Sequence, residues 1–92
     1  MGLELRRTIR VLNDHGLHAR PCHSIVSAAQ NFDSDLRIRS GTREVSGKSI
    51  LELMTLNAGL GTELELMARG RDAERCLAAI EALFVNRFGE TG

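Results

Sequence analysis

The sequence predicts an α+β domain: a two-layer open-faced sandwich in which a four-stranded antiparallel sheet carries three helices on one face, in the order β-α-β-β-α-β-α. Three observations lead there. Several short segments alternate apolar and polar residues, as strands with one covered face do. Other segments place apolar residues at i, i+3, i+4 and i+7, as helices with one buried stripe do. Ninety-two residues hold one core, so the two kinds of face must cover each other within a single domain, 1–92.

The elements follow in order. Leu5, Arg7, Ile9 and Val11 alternate with Arg6, Thr8 and Arg10, which predicts a strand over about 4–12. Asn13-Asp14-His15-Gly16 is a turn cluster that ends it. Cys22, Ile25, Val26 and Ala29 then form one helical stripe. Pro21 must lie in the first turn of that helix, where its missing N–H is no loss. The helix therefore starts near Ala19, with His18 as the flanking cap residue and Asn31 as its stop.

Leu36, Ile38 and Ser40 alternate with Arg37 and Arg39 in a second strand, and Gly41 allows a tight return into Thr42–Val45. Ser49 is followed three residues later by Glu52, a capping box that predicts a short helix from about Ile50 to Leu56. Gly59 and Gly61 flank a loop. Over Thr62–Arg69, Leu64, Leu66 and Ala68 alternate against Glu63, Glu65 and Met67. Gly70-Arg71-Asp72 supplies a turn and an N-cap for a last helix, whose apolar face is Ala73, Cys76, Leu77, Ile80, Leu83 and Phe84.

Composition narrows the function. Apolar residues are 42% of the chain and charged residues 26%, the proportions of an ordinary soluble domain. The formal charge is zero, there is no Trp or Tyr, and there are three Phe, which argues against a nucleic-acid surface. No apolar run approaches the roughly 20 residues that span a bilayer, so no membrane insertion is expected. The stretch from Met1 to Arg7 lacks the apolar centre of a signal peptide, and a cytoplasmic location follows as the expectation. Cys22 and Cys76 fall on apolar helix faces and read as small buried thiols rather than a disulfide.

The chemistry concentrates in Gly16-Leu17-His18-Ala19-Arg20-Pro21. The first N–H groups of a helix have no internal partner and carry partial positive charge, which stabilises an anion such as phosphate. That field also disfavours a protonated imidazole, making His18 more available as a neutral nucleophile. Arg20 adds a planar fork of donors suited to phosphate oxygens. Local physics leaves two readings open: a phosphoryl acceptor, or a histidine used simply as a surface cap.

The segment Gly16-Leu17-His18-Ala19-Arg20-Pro21 resembles the active-site signature of the HPr family, the histidine-containing phosphocarriers of the phosphoenolpyruvate-dependent sugar phosphotransferase system. Gly47-Lys48-Ser49-Ile50 resembles that family's second signature, around its regulatory serine. The resemblance runs in register from about Ile9 to Glu90 and ends in a family-like Arg87-Phe88-Gly89-Glu90. It implies a carrier rather than a stand-alone enzyme. Such a carrier accepts a phosphoryl group from phosphorylated Enzyme I on Nδ1 of His18 and passes it to EIIA proteins or domains. Arg20 would assist transfer, and Ala19, Ile50, Leu51 and Met54 would dock partners beside it. A monomer without cofactor or metal is the family-based expectation.

Ser49 has two readings. With Glu52 it caps a helix, which other proteins find worth about 0.5–2 kcal/mol. In the family, the matching serine can be phosphorylated by an HPr kinase/phosphorylase, which slows transfer through the histidine, and it is also kept in lineages that lack the kinase. The segment holds no ATP site of its own, since Gly47-Lys48-Ser49 lacks the upstream glycine of a P-loop.

The chain departs from the family where Cys22-His23 follow Pro21, a place usually held by small residues. His15, His18, Cys22 and His23 supply imidazole and thiolate donors within nine residues, which makes zinc binding a rival reading. Against it, Cys22 should face the core and His23 the solvent. Two further alternatives are a relay in a regulatory, nitrogen-related branch and an interaction module without phosphoryl chemistry.

Overall fold

A computed structural model describes residues 4–90; residues 1–3, part of the stretch read above for a leader, and residues 91–92 lie outside it. The elements are β1 (Glu4–Arg10), α1 (Ala19–Ala29), β2 (Asp35–Ser40), β3 (Arg43–Ser46), α2 (Ile50–Met54), β4 (Glu63–Arg69) and α3 (Ala73–Val85), followed by a single 3₁₀ turn at Arg87–Gly89. The four strands form one antiparallel sheet in the order β1-β4-β2-β3. All three helices lie against one face, as the alternation predicts.

The inner face pairs Leu5 with Ala68, Ile9 with Leu64, Leu36 with Ala68 and Ile38 with Leu66. Against it pack Ile25, Val26 and Ala29 of α1, Leu53 of α2, and Cys76, Leu77, Ile80 and Phe84 of α3. Side-chain alternation fails at one point. Met67 points to the open face yet is buried, because it sits between Arg6 and Arg37 in the register and their long aliphatic stems cover it. Arg7 is the converse: it faces the helices at the sheet edge and forms ion pairs with Glu74 and Glu81 of α3.

Boundaries differ from expectation for local reasons. β1 ends at Arg10, but Val11 still bonds across to Thr62 and Gly61 through its backbone. α1 stops at Ala29, and Asn31 belongs to the turn that follows. α2 ends at Met54, its last carbonyls being taken by tighter i→i+3 bonds through Asn57. Gly41, with φ of +61°, makes the return from Ser40 to Arg43. Cys22 and Cys76 are both buried free thiols; burial pushes Cys22 up to about 11 and raises Cys76 as well.

Asp72 occupies the N-cap position of α3 but makes no capping bond there. Its carboxylate instead accepts from the Ser34 hydroxyl, from Asp33 N–H at 2.9 Å and from Ser34 N–H at 2.9 Å, tying the α1–β2 turn to the helix. The Ser34 hydroxyl and the Asp33 N–H hold its pKa below the usual aspartate value. A carboxylate with a depressed folded pKa contributes stability above the ordinary pKa of about 4 and loses it as pH falls through the folded value. Asp72→Asn is therefore expected to cost stability at neutral pH, with the gap from wild type narrowing below about pH 4. Urea melts across pH check this; a gap independent of pH would refute it.

Candidate functional site

The loop after β1 places His18. Gly16 N–H bonds to Asn13 O at 3.1 Å, Leu17 N–H to Ala58 O at 2.8 Å, and His18 N–H to Gly16 O at 3.1 Å. Gly16 has φ of +65°, and a Cβ there would overlap the Ala58 carbonyl oxygen, so a glycine is required twice over. Leu17 is buried beneath the loop, leaving the next residue at the surface.

His18 takes the N-cap position of α1 with extended backbone, and its carbonyl accepts from Cys22 N–H at 3.2 Å. Its side chain makes no capping bond. Among the described residues, the N–H groups of Ala19 and Arg20 consequently have no partner, while Pro21, third in the helix, has no N–H to offer. The positive end of an 11-residue helix with two unpaired donors thus begins at His18, and an exposed Arg20 follows two residues on. Among the described residues, the Arg20 guanidinium has no ion-pair partner and is available to an incoming anion.

The ring itself is engaged from the far end of the chain. Nε2 of His18 lies 2.8 Å from Oε2 of Glu90. Glu90 also accepts from Asn13 Nδ2 at 3.2 Å, and the same Nδ2 donates to Gly16 O at 2.7 Å. Partial burial of Glu90 pushes its pKa up, but hydrogen bonds from His18 and Asn13 and the nearby imidazoles outweigh this and leave it below the usual value. An ionised carboxylate only accepts, so Nε2 carries the hydrogen, and in the neutral ring Nδ1 is then the nitrogen with the lone pair. The His18 side chain remains 40% exposed against 15% for Glu90.

His15 stands beside it, the two rings edge to face with centroids 6.0 Å apart. Both line a shallow groove completed by Leu17, Met54, Asn57, Ala58 and Gly59. Of the residues expected to dock partners, Met54 reaches this groove, Leu51 is the most exposed apolar residue of α2 at 79%, and Ala19 is exposed on α1. Ile50 is half-buried and packs partly against the core.

Ser49 caps α2, its Oγ accepting from Glu52 N–H at 3.2 Å. The reciprocal arm of the box is displaced: the Glu52 carboxylate accepts from Ser46 N–H at 3.0 Å instead of Ser49 N–H. Ahead of it, a Cβ on Gly47 would overlap the Leu36 side chain. The four possible metal donors are not brought together. Cys22 is buried with its thiol toward Leu17 O at 3.6 Å, and His23 is exposed. Among the described residues no group of three or more His, Cys, Asp or Glu is placed to hold a metal ion.

Glu90 has no signal in the sequence beyond its place in the segment Arg87-Phe88-Gly89-Glu90, because 72 residues separate it from His18. Its position depends on a reversal after α3, where Arg87, Phe88 and Gly89 all have positive φ.

Comparison with known proteins agrees with this geometry. A family model described as the PTS HPr component phosphorylation site matches residues 5–86. Phosphocarrier protein HPr of Treponema pallidum is 49% identical over 84 residues, covering 91% of this chain and 96% of that protein. Phosphocarrier protein NPr of Shewanella violacea is 36% identical over 87 residues, covering 95% and 96%. The crystal structure of HPr-C-His from Thermoanaerobacter tengcongensis superposes with a TM-score of 0.91 at 34% identity, covering 96% and 99%. The chain belongs to the HPr family of the phosphotransferase system, whose members are phosphocarriers and not stand-alone enzymes.

Proposed function

We propose that this protein accepts a phosphoryl group on Nδ1 of His18 from phosphorylated Enzyme I and passes it to EIIA proteins or domains in sugar uptake. One observation carries the assignment: an accessible imidazole at a helix mouth with two unpaired N–H groups, its other nitrogen engaged by a carboxylate. In the forward step the Nδ1 lone pair attacks the donor's phosphorus. The bond from phosphorus to the donor's histidine nitrogen breaks, and its electron pair stays on that nitrogen. Ala19 and Arg20 N–H and the Arg20 guanidinium receive the phosphoryl oxygens. A single arginine and one helix end hold the group without trapping it. Partners dock across Ala19, Ile50, Leu51 and Met54, and the carrier works as a cytoplasmic monomer. The relatives include both HPr and NPr proteins; the higher identity to an HPr, 49% against 36%, favours the sugar branch over the regulatory one.

The test is loading. With Enzyme I and phosphoenolpyruvate, intact-mass spectrometry should show one added phosphoryl group that is lost in acid. A group stable in acid, or none, would overturn the reading.

Ser49 is the proposed regulatory position. Its hydroxyl starts α2 beside Ile50 and Leu51, so a phosphate would be tolerated by the helix end while adding negative charge to the docking face. Protein modified by an HPr kinase with ATP is expected to load His18 more slowly. An unmodified Ser49, or an unchanged loading rate, would refute it.

A further inference from the structure

We infer that Glu90 is a positioning residue for His18: it holds the imidazole in the Nε2–H tautomer, so that Nδ1 is the reactive nitrogen, and it neutralises the imidazolium formed when Nδ1 takes the phosphoryl group. This rests on the phosphocarrier reading and adds a residue to it.

The geometry is specific. The Nε2–Oε2 separation of 2.8 Å is that of a charge-assisted hydrogen bond. Glu90 does not reach it by chance placement of a long side chain. Asn13, fully buried, donates both to Glu90 at 3.2 Å and to the Gly16 carbonyl at 2.7 Å, so one amide fixes the carboxylate to the loop that carries His18. From the other side, Glu90 N–H bonds to Arg87 O at 2.9 Å, and Phe88 packs edge to face on Phe84 at 4.8 Å. Arg87 and Phe88 both have φ of +54°, a conformation disfavoured for residues with a Cβ. Two such residues in succession, anchored by an aromatic contact, bring the carboxylate to the ring.

The charged and titratable groups facing His18 are few. Glu90 comes from the segment after α3 and His15 from the β1–α1 loop, while Arg20 follows two residues on along α1 with its side chain exposed. From α2 and the loop after it come Met54, Asn57, Ala58 and Gly59, all uncharged. Glu90 is thus the one anion in contact with the ring among the described residues.

In the transfer step Nδ1 gains phosphorus while Nε2 keeps its hydrogen, leaving a positively charged ring that carries the phosphoryl group. The Glu90 carboxylate balances that charge from the opposite edge of the ring, and no proton need leave. Keeping Nε2 protonated also maintains the ring as a good leaving group for the next acceptor. One carboxylate therefore serves both loading and delivery.

Glu90→Gln removes the charge and conserves the shape; its amide is able either to donate or to accept. Nitrogen-15 NMR of the unphosphorylated full chain, above the pH at which imidazoles titrate, should show His18 as Nε2–H in wild type and as a mixture of tautomers in the variant. Loading by Enzyme I should slow by about tenfold, the lower end of what losing a histidine-orienting carboxylate costs at metal sites. That loss should fall on kcat with KM unchanged, since Glu90 is not among the residues proposed to dock partners. Glu90→Asp, one methylene short, should lie between the two in both readouts. An unchanged tautomer in Glu90→Gln, or a relaxed tautomer with an unchanged kcat, overturns the inference. The tautomer measurement needs no partner, so a wild type that accepts no acid-labile phosphoryl group would defeat the phosphocarrier reading separately.

Discussion

His18→Ala is expected to reduce the acid-labile phosphoryl label to background, with the fold intact. The side chain is partly exposed and makes no capping bond, so its removal opens no core cavity and breaks no helix contact. What disappears is the nucleophile. The chain retains His15 and His23, which makes the variant a stringent control. His15 lies within reach of the same groove but off the helix end, and His23 stands on the exposed side of α1. Neither has a carboxylate bonded to its ring among the described residues, and neither is the cap residue of α1. A label persisting in His18→Ala would mean that helix-end capture is not what selects the nucleophile. Circular dichroism and a urea melt matching wild type establish that the loss is chemical. The same experiment separates the two phosphorylation chemistries, because phosphoserine survives acid and a phosphorus–nitrogen bond does not.

That the sequence places His18 at a helix mouth has a physical basis, although its phosphoryl role is read from the resemblance of two motifs and not from local physics. Most determinants of its place at the helix mouth are local: a turn cluster ending β1, a glycine with positive φ, and a proline that must sit in the first helical turn; the Ala58 carbonyl that accepts from Leu17 N–H is the distant one. The order of elements was legible for a similar reason, since periodicities of 2 and 3.6 are properties of contiguous segments. Failures of the local reading fall where a side chain chose a distant partner. Asp72 is the right residue type at the right cap position, yet its carboxylate serves Ser34, 38 residues away. Glu52 is correctly placed for a capping box, but Ser46 N–H takes its carboxylate. Met67 should be exposed by alternation and is buried because Arg6 and Arg37 flank it on two other strands. Glu90 is the extreme case. Its place in the family-like segment Arg87-Phe88-Gly89-Glu90 gives it no role in the sequence, and only the assembled sheet-and-helix sandwich brings it to the imidazole.

The second large effect is expected at Phe84. Phe84→Ala should destabilise the domain by about 3–5 kcal/mol, the usual cost of emptying a buried aromatic site. Phe84 is 1% exposed and among the largest fully buried side chains of the core, so neighbouring groups cannot easily fill the space. Against a total stability of roughly 5–15 kcal/mol for a domain, that loss leaves little margin. A second consequence distinguishes this residue from other core positions. Phe84 is also the surface on which Phe88 rests, and Phe88 sits in the left-handed segment that leads to Glu90. Removing the ring withdraws the contact that offsets the strain at Arg87 and Phe88, so the segment should relax and Glu90 should leave His18. Leu53→Ala supplies the comparison, since Leu53 is equally buried but lies in α2. Both variants should be destabilised in urea melts, by about 2–5 kcal/mol for the leucine. At temperatures where both remain folded, only Phe84→Ala should lose the single Nε2–H tautomer of His18. Equal tautomer populations in the two variants would show that the segment after α3 holds its shape without the aromatic pair.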